Sequence, residues 1–116
     1  MMTMPTRIIL VLMLNLLFFS ACAQDEPPPD EDLAAMITKA EQGNYYYSWI
    51  LGGIYAEGEG VPQDHEEAVR WYRLAAEQGF ARGQATLGVM YENGRGVPQD
   101  YIQAHMWYNL SASNRT

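Results

Sequence analysis

A seven-residue segment occurs twice in the chain with one substitution, as GEGVPQD at residues 58–64 and GRGVPQD at 94–100. The offset of 36 residues extends well beyond that segment. When residues 40–75 are set against 76–111, 17 of 36 positions are identical, among them AEQG, Leu51-Gly52 with Leu87-Gly88, Tyr55 with Tyr91, Ala68 with Ala104, and Trp71-Tyr72 with Trp107-Tyr108. A chain copied in this way buries the same surfaces twice, and a unit of this length is one supersecondary element whose apolar face is covered by its neighbour. The repeat therefore predicts an all-α protein, an α/α superhelical solenoid of antiparallel helix pairs with two full units and a degenerate helix before them.

The apolar spacing inside each unit is helical. Ala68, Trp71, Tyr72 and Ala75 stand at i, i+3, i+4 and i+7, and Ala104, Trp107, Tyr108 and Ser111 repeat the stripe, so the second helix of each unit buries an aromatic face. Leu51, Ile54 and Tyr55, echoed by Leu87, Met90 and Tyr91, mark the inner face of the first helix. Gly52 and Gly88 fall inside these first helices, where glycine costs up to about 1 kcal/mol relative to alanine. The bulky Trp-Tyr pair opposite supplies a reason, since a missing Cβ lets the two axes approach. The spacing predicts helices over about 33–42, 45–57, 65–77, 81–93 and 101–112.

The repeated heptapeptide then lies between two helices, and its residue types suit a joint. Gly58 and Gly94 supply left-handed backbone to end a helix, Gly60 and Gly96 let the chain reverse, and Pro62 and Pro98 block continuation. Asp64 and Asp100 are placed to cap the next helix through a side-chain oxygen. The competing reading is a phosphate or calcium loop. Here the GxG follows a helix rather than a strand, has no phosphate-loop lysine, and lacks the spaced Asp/Asn ligands of an EF-hand.

Residues 8–19, IILVLMLNLLFF, are apolar apart from Asn15 and follow Arg7. Twelve helical residues cover about 18 Å, short of the roughly 30 Å hydrocarbon layer, so residues 1–21 are expected to be an export signal rather than a membrane span. Cys22, the single cysteine, follows directly. Phe19-Ser20-Ala21-Cys22 resembles a lipobox, which implies cleavage before Cys22 and a lipid on its thiol, although Phe19 stands where that motif prefers Leu. Ala21-Cys22-Ala23 also satisfies the small-x-small rule for ordinary cleavage before Gln24, and both readings stay open. The first, with Ala23 rather than Asp after the cysteine, points to an outer-membrane lipoprotein; the second gives a soluble periplasmic or secreted protein. Either way no cysteine remains for a disulfide.

Residues 22–32 hold three consecutive prolines and five acids and read as an extended acidic linker, reaching up to about 30 Å. Residues 33–116 form the repeat domain, whose nine acids against six bases leave it only mildly acidic within a chain of net charge −7. This balance argues against nucleic acid and against adhesion to anionic headgroups.

The composite pattern LGxxYxxGxGVPQDxxxAxxWYxxAAxQG resembles the Sel-one-like repeat, a relative of the tetratricopeptide repeat with a longer joint, and the resemblance covers about residues 40–112. It implies an α/α superhelix that serves as an adaptor for other proteins, commonly in bacterial envelopes, with no catalytic residue, cofactor or metal ligand to carry over. Two departures stand out. Tyr47 occupies the place of Gly83, which puts close packing of the preceding helix in doubt, and the last unit is followed only by SASNRT, so its apolar face is expected to lack a cap.

Catalysis finds little support. His65 and His105 occupy non-equivalent repeat positions, His105 replacing Val69, and Asp64, Glu66 and Glu67 sit where they complement a helix dipole. Two binding readings remain. One is a protein-interaction scaffold. The other is a glycan or peptidoglycan module that uses Tyr45, Tyr46, Tyr47 and Trp49, which span more than one helical turn and so cannot all point inward. The last helix carries Ile102, Met106, Trp107, Tyr108 and Leu110, more apolar surface than one helix pair covers, so an open face is expected there, docking on a protein partner or a second copy.

Overall fold

The computed structural model describes residues 31–115. The export signal, Cys22 and all of the linker except Glu31 and Asp32 lie outside the described residues. Within them are five helices: α1 (Leu33–Glu41), α2 (Tyr45–Glu57), α3 (His65–Glu77), α4 (Ala81–Asn93) and α5 (Tyr101–Ser113). The bounds match the spacing-based reading except at two C-termini: Gln42 caps α1 from outside, and α5 continues to Ser113. Each helix packs on the next in chain order.

Close approach within each pair follows from glycine. A Cβ built on Gly52 would lie 2.5 Å from Cδ1 of Tyr72, and one on Gly88 would lie 2.8 Å from Cε1 of Tyr108. The tyrosine of each Trp-Tyr pair is therefore the partner of the glycine, and the tryptophan has a different task. Trp71 joins Met36 and Ala40 of α1 and Leu51 of α2 in one core cluster; Trp107 joins Ala68 and Ala76 of α3 and Leu87 of α4 in another. Each tryptophan thus ties its own unit to the helix before it. Trp49 and Tyr55 pack against both clusters, so the core is continuous along the stack.

The joints end α2 and α4 by the same geometry. Gly58 (φ 70°) and Gly94 (φ 64°) are left-handed, and their N–H groups donate to the carbonyls of Ile54 and Met90. Asp64 accepts from the Glu67 amide, and Asp100 accepts from those of Ile102 and Gln103. The glutamine of VPQD has a job that the sequence reading did not specify: the side-chain amides of Gln63 and Gln99 donate to Ala56 O (2.8 Å) and Glu92 O (2.9 Å), folding each joint back onto the helix it leaves.

Unit meets unit where α4 crosses α3. A Cβ on Gly83 would lie 3.0 Å from that of Ala75, and the buried Gln84 amide donates to Ala76 O at 3.0 Å. Tyr47, which replaces this glycine in the first unit, resolves the doubt about packing by a polar clamp. Its hydroxyl donates to Glu31 Oε2 (2.8 Å) and accepts from Lys39 Nζ (3.2 Å), and Lys39 pairs with Glu31, so α1 is tied at its edge.

Two predictions follow from the tyrosine–glycine contacts. Gly52→Ala should cost about 1–3 kcal/mol in urea unfolding through overpacking, and less in a Tyr72→Leu background, where the obstructing ring is gone. The second concerns alkaline pH. Burial, and then the Glu57 carboxylate, push the Tyr72 hydroxyl up to about 12. Tyr108 is also pushed up to about 12, by desolvation and by its 2.6 Å hydrogen bond to Glu92 and the charge of that carboxylate. Because the unfolded phenols ionise near 10, this contribution is fully present below about pH 10 and is lost as pH rises towards about 12. The melting temperature is expected to fall over that window, and the Tyr72→Phe Tyr108→Phe variant to show a shallower fall.

Candidate functional site

The four aromatic residues at the start of α2 do not share one fate. Asn44 caps this helix, its side-chain oxygen accepting from the amides of Tyr46 and Tyr47. Tyr47 turns toward α1 and is held by Glu31 and Lys39. Tyr46 and Trp49 are half-buried, 6.3 Å apart between ring centroids, and Tyr45 is 46% exposed.

Phe80, at the start of α4, completes the group. Its ring centroid lies 4.9 Å from that of Tyr45 and 5.8 Å from that of Trp49, and the Arg82 guanidinium lies 5.7 Å from the Trp49 centroid. Phe80 sits at the N-cap and makes no side-chain cap bond, whereas α1, α2, α3 and α5 each begin with an Asp or Asn that does. A lost cap costs about 1 kcal/mol, which the aromatic contacts offset.

Tyr45, the α3–α4 turn from Gln78 to Ala81, Arg82, and Asn114 and Arg115 after α5 wall a cleft of about 600 Å³. The far wall is fixed by hydrogen bonds. Ser111 Oγ donates to Ala81 O (2.8 Å), and the Asn114 amide donates to Oε1 of the buried Gln84 (2.9 Å). Those bonds hold the chain end of α5 against the start of α4 and set Arg115 at the cleft. Among the described residues no Asp or Glu lines it.

The sequence reading singled out Tyr45, Tyr46, Tyr47 and Trp49; the structure puts only Tyr45 on the cleft, while Tyr46 packs between Trp49 and the edge of Tyr47, and Tyr47 is held by α1. It missed Phe80, Arg82, Asn114 and Arg115 as site residues. A signal was present in the departures between units, since Phe80, Arg82 and Gln84 replace Asn44, Tyr46 and Ser48.

The second exposed feature is α5. Tyr101, Ile102, Met106 and Leu110 are all exposed, Ile102 at 82%, while Trp107 is buried. In α3 the equivalents of Ile102 and Met106 are Glu66 and Arg70, both exposed, and α5 contains no Asp, Glu, Lys or Arg. His105 is exposed where its counterpart Val69 is buried beneath the second joint. His65 is half-buried at the start of α3, its backbone against Gly96 of the second joint, and among the described residues no three His, Cys, Asp or Glu side chains gather as a metal site requires.

The Sel1 repeat signature matches residues 43–80 and 81–115, so its frame opens each unit at the first helix rather than at the AEQG turn. A Sel1 repeat protein from Oxalobacter formigenes is 39% identical, with 69% of this chain and 61% of that one covered and a TM-score of 0.67. A protective antigen of uropathogenic Escherichia coli displaying an SLR fold is also 39% identical, over 75% of this chain and 19% of that one, with a TM-score of 0.70. Helicobacter pylori cysteine rich protein B, at 22% identity over 72% of this chain and 62% of its own, shares the fold with a TM-score of 0.69. Over 44 residues the chain is 43% identical to an exopolysaccharide production negative regulator of Rhizobium leguminosarum bv. viciae, covering 38% of this chain and 16% of that protein. The chain spans less than two thirds of the length of each.

Proposed function

The chain belongs to the Sel1 repeat family, and we propose that it is a non-catalytic adaptor of the bacterial cell envelope that presents its helical stack to a protein partner. Sel1 repeats are protein-interaction modules, and one observation carries the reading for this chain. The outward stripe of α5 is apolar and uncharged throughout, whereas the same stripe of α3 carries Glu66 and Arg70 and shares with α5 only its exposed leucine, Leu74 for Leu110. A helix face meant for solvent keeps its charges, as Glu66 and Arg70 do; Ile102, Met106 and Leu110 suit a face covered by another protein. A second copy of the chain is the alternative occupant of the same face.

The envelope location rests on the apolar run before Cys22 and the lipobox-like residues around it, with Cys22 as the lipid anchor and residues 22–32 as the spacer. A soluble periplasmic or secreted form is the alternative. The glycan reading has less behind it: stacking on a sugar needs an open ring face, yet Tyr45 and Phe80 lie against each other and Arg82 covers Trp49.

A photo-crosslinking residue placed at Ile102 in the exported full chain tests the adaptor reading. One discrete protein adduct, lost when Met106→Glu and Leu110→Glu are added, is expected; a dimer of the chain would name self-association, and adducts only with cell-wall glycan would overturn the reading. Palmitate labelling that disappears in Cys22→Ala is expected in parallel, and equal labelling of both forms, or of neither, would remove the lipid anchor.

A further inference from the structure

We propose that a second cavity, at the meeting of the two units, receives a lysine side chain of a partner protein, its ammonium group meeting the Glu57 carboxylate and the Tyr72 hydroxyl and its methylenes lying on Ala56 and Met90. The inference rests on the adaptor reading and names a group that the partner brings. The cavity, about 450 Å³, is walled by the end of α2, the start and middle of α3, and Thr86 and Met90 of α4, with Gln63 and Arg95 contributed by the two joints.

A difference between the units is the first support. In the second unit the tyrosine that covers the glycine is satisfied, the Tyr108 hydroxyl donating to Glu92 Oε2 at 2.6 Å. The first unit has Ala56 where the second has Glu92. Tyr72 is only 7% exposed, lines the cavity, and makes no hydrogen bond through its hydroxyl among the described residues. His65, on the same wall, has a buried Nδ1 that also lacks a partner. Leaving a buried polar group unpaired costs about 1–3 kcal/mol, and a ligand that supplies the missing bond recovers part of it.

Charge is the second support. The second unit has Asn93 where the first has Glu57, and Glu57 forms no ion pair among the described residues. Burial, and then the Glu57 carboxylate, raise the Tyr72 hydroxyl, so the charge felt at that hydroxyl is that of Glu57 rather than of Arg95, an exposed residue on the other rim. A domain with nine acids against six bases also draws a cation and not an anion. Lysine fits the arrangement because its ammonium has three donors to give to oxygen acceptors, while its apolar stem covers Ala56 and Met90.

The test is an NMR titration of the methionine-methyl-labelled full chain with the peptide acetyl-Ala-Ala-Lys-Ala-Ala-amide. Met90 lies on the cavity wall and Met106 on the α5 face, so the Met90 methyl resonance should shift to saturation while that of Met106 stays in place. Acetylating the lysine Nε should weaken binding about fivefold, and Glu57→Gln should do the same. Tyr72→Phe, which keeps the ring on Gly52 and removes only the hydroxyl, should weaken it about threefold. Arg95→Gln should bind at least as tightly as the parent. No shift at Met90, equal binding of the acetylated peptide, Glu57→Gln binding as the parent does, or weaker binding by Arg95→Gln would each overturn the proposal. Cadaverine binding more tightly than the peptide would overturn the assignment to a protein side chain. If the proposal falls while the adduct from position 102 persists, the cavity assignment is wrong and the adaptor reading stands.

Discussion

The stack depends on how closely the two helices of a unit approach, and in both units that distance is set by a tyrosine ring lying on a glycine. Tyr72 covers Gly52 and Tyr108 covers Gly88, at separations that leave no room for a Cβ. A helix interior is an unfavourable place for glycine, so each contact spends backbone stability to gain interhelical packing. With that spacing established, Trp71 and Trp107 reach the preceding helix and join successive units into one continuous core. The joints obey the same constraint. Their left-handed glycines and glutamine–carbonyl bonds return the chain at the separation the tyrosine demands.

Agreement between the units builds the stack, and disagreement gives it its distinctive surface features. The identical positions include the glycine–tyrosine contact, the tryptophan, the glycines and VPQ of the joint, and the aspartate cap. At the start of the first helix the units diverge: Asn44 caps α2 through its side chain, whereas Phe80 gives up that bond and supplies a ring to the cleft. On the second helix, Glu66 and Arg70 of α3 give way to Ile102 and Met106 of α5. The first divergence exchanges a cap for half-buried ring contacts, and the second places apolar side chains on the surface, where they add little to folding.

The cleft and the α5 face differ in chemistry. One combines two cations with aromatic rings; the other is apolar and uncharged.

Helix order, helix limits, joint geometry and the buried stripe were legible in the sequence because they follow from local rules: a 3.6-residue apolar period, glycine where φ is positive, and aspartate before a first turn. A repeat states each of them twice. The partner of each glycine was legible only as a Trp-Tyr pair, since adjacent residues on a helix point in directions about 100° apart and only the crossing decides which ring meets the glycine. Tyr47 could be marked as a departure, but not as a clamp on α1, because Glu31 and Lys39 are brought to it by the turn of the chain at Gly43. The cleft lay furthest from reach. Tyr45, Phe80 and Arg115 are separated by 35 residues at each step, and no local pattern links them. The sequence by itself determined a stack of helix pairs and the spacing of its joints. Only the tertiary structure decided which side chains share a surface, because that depends on how α4 crosses α3 and on where the bonds from Ser111 and Asn114 leave the end of the last helix.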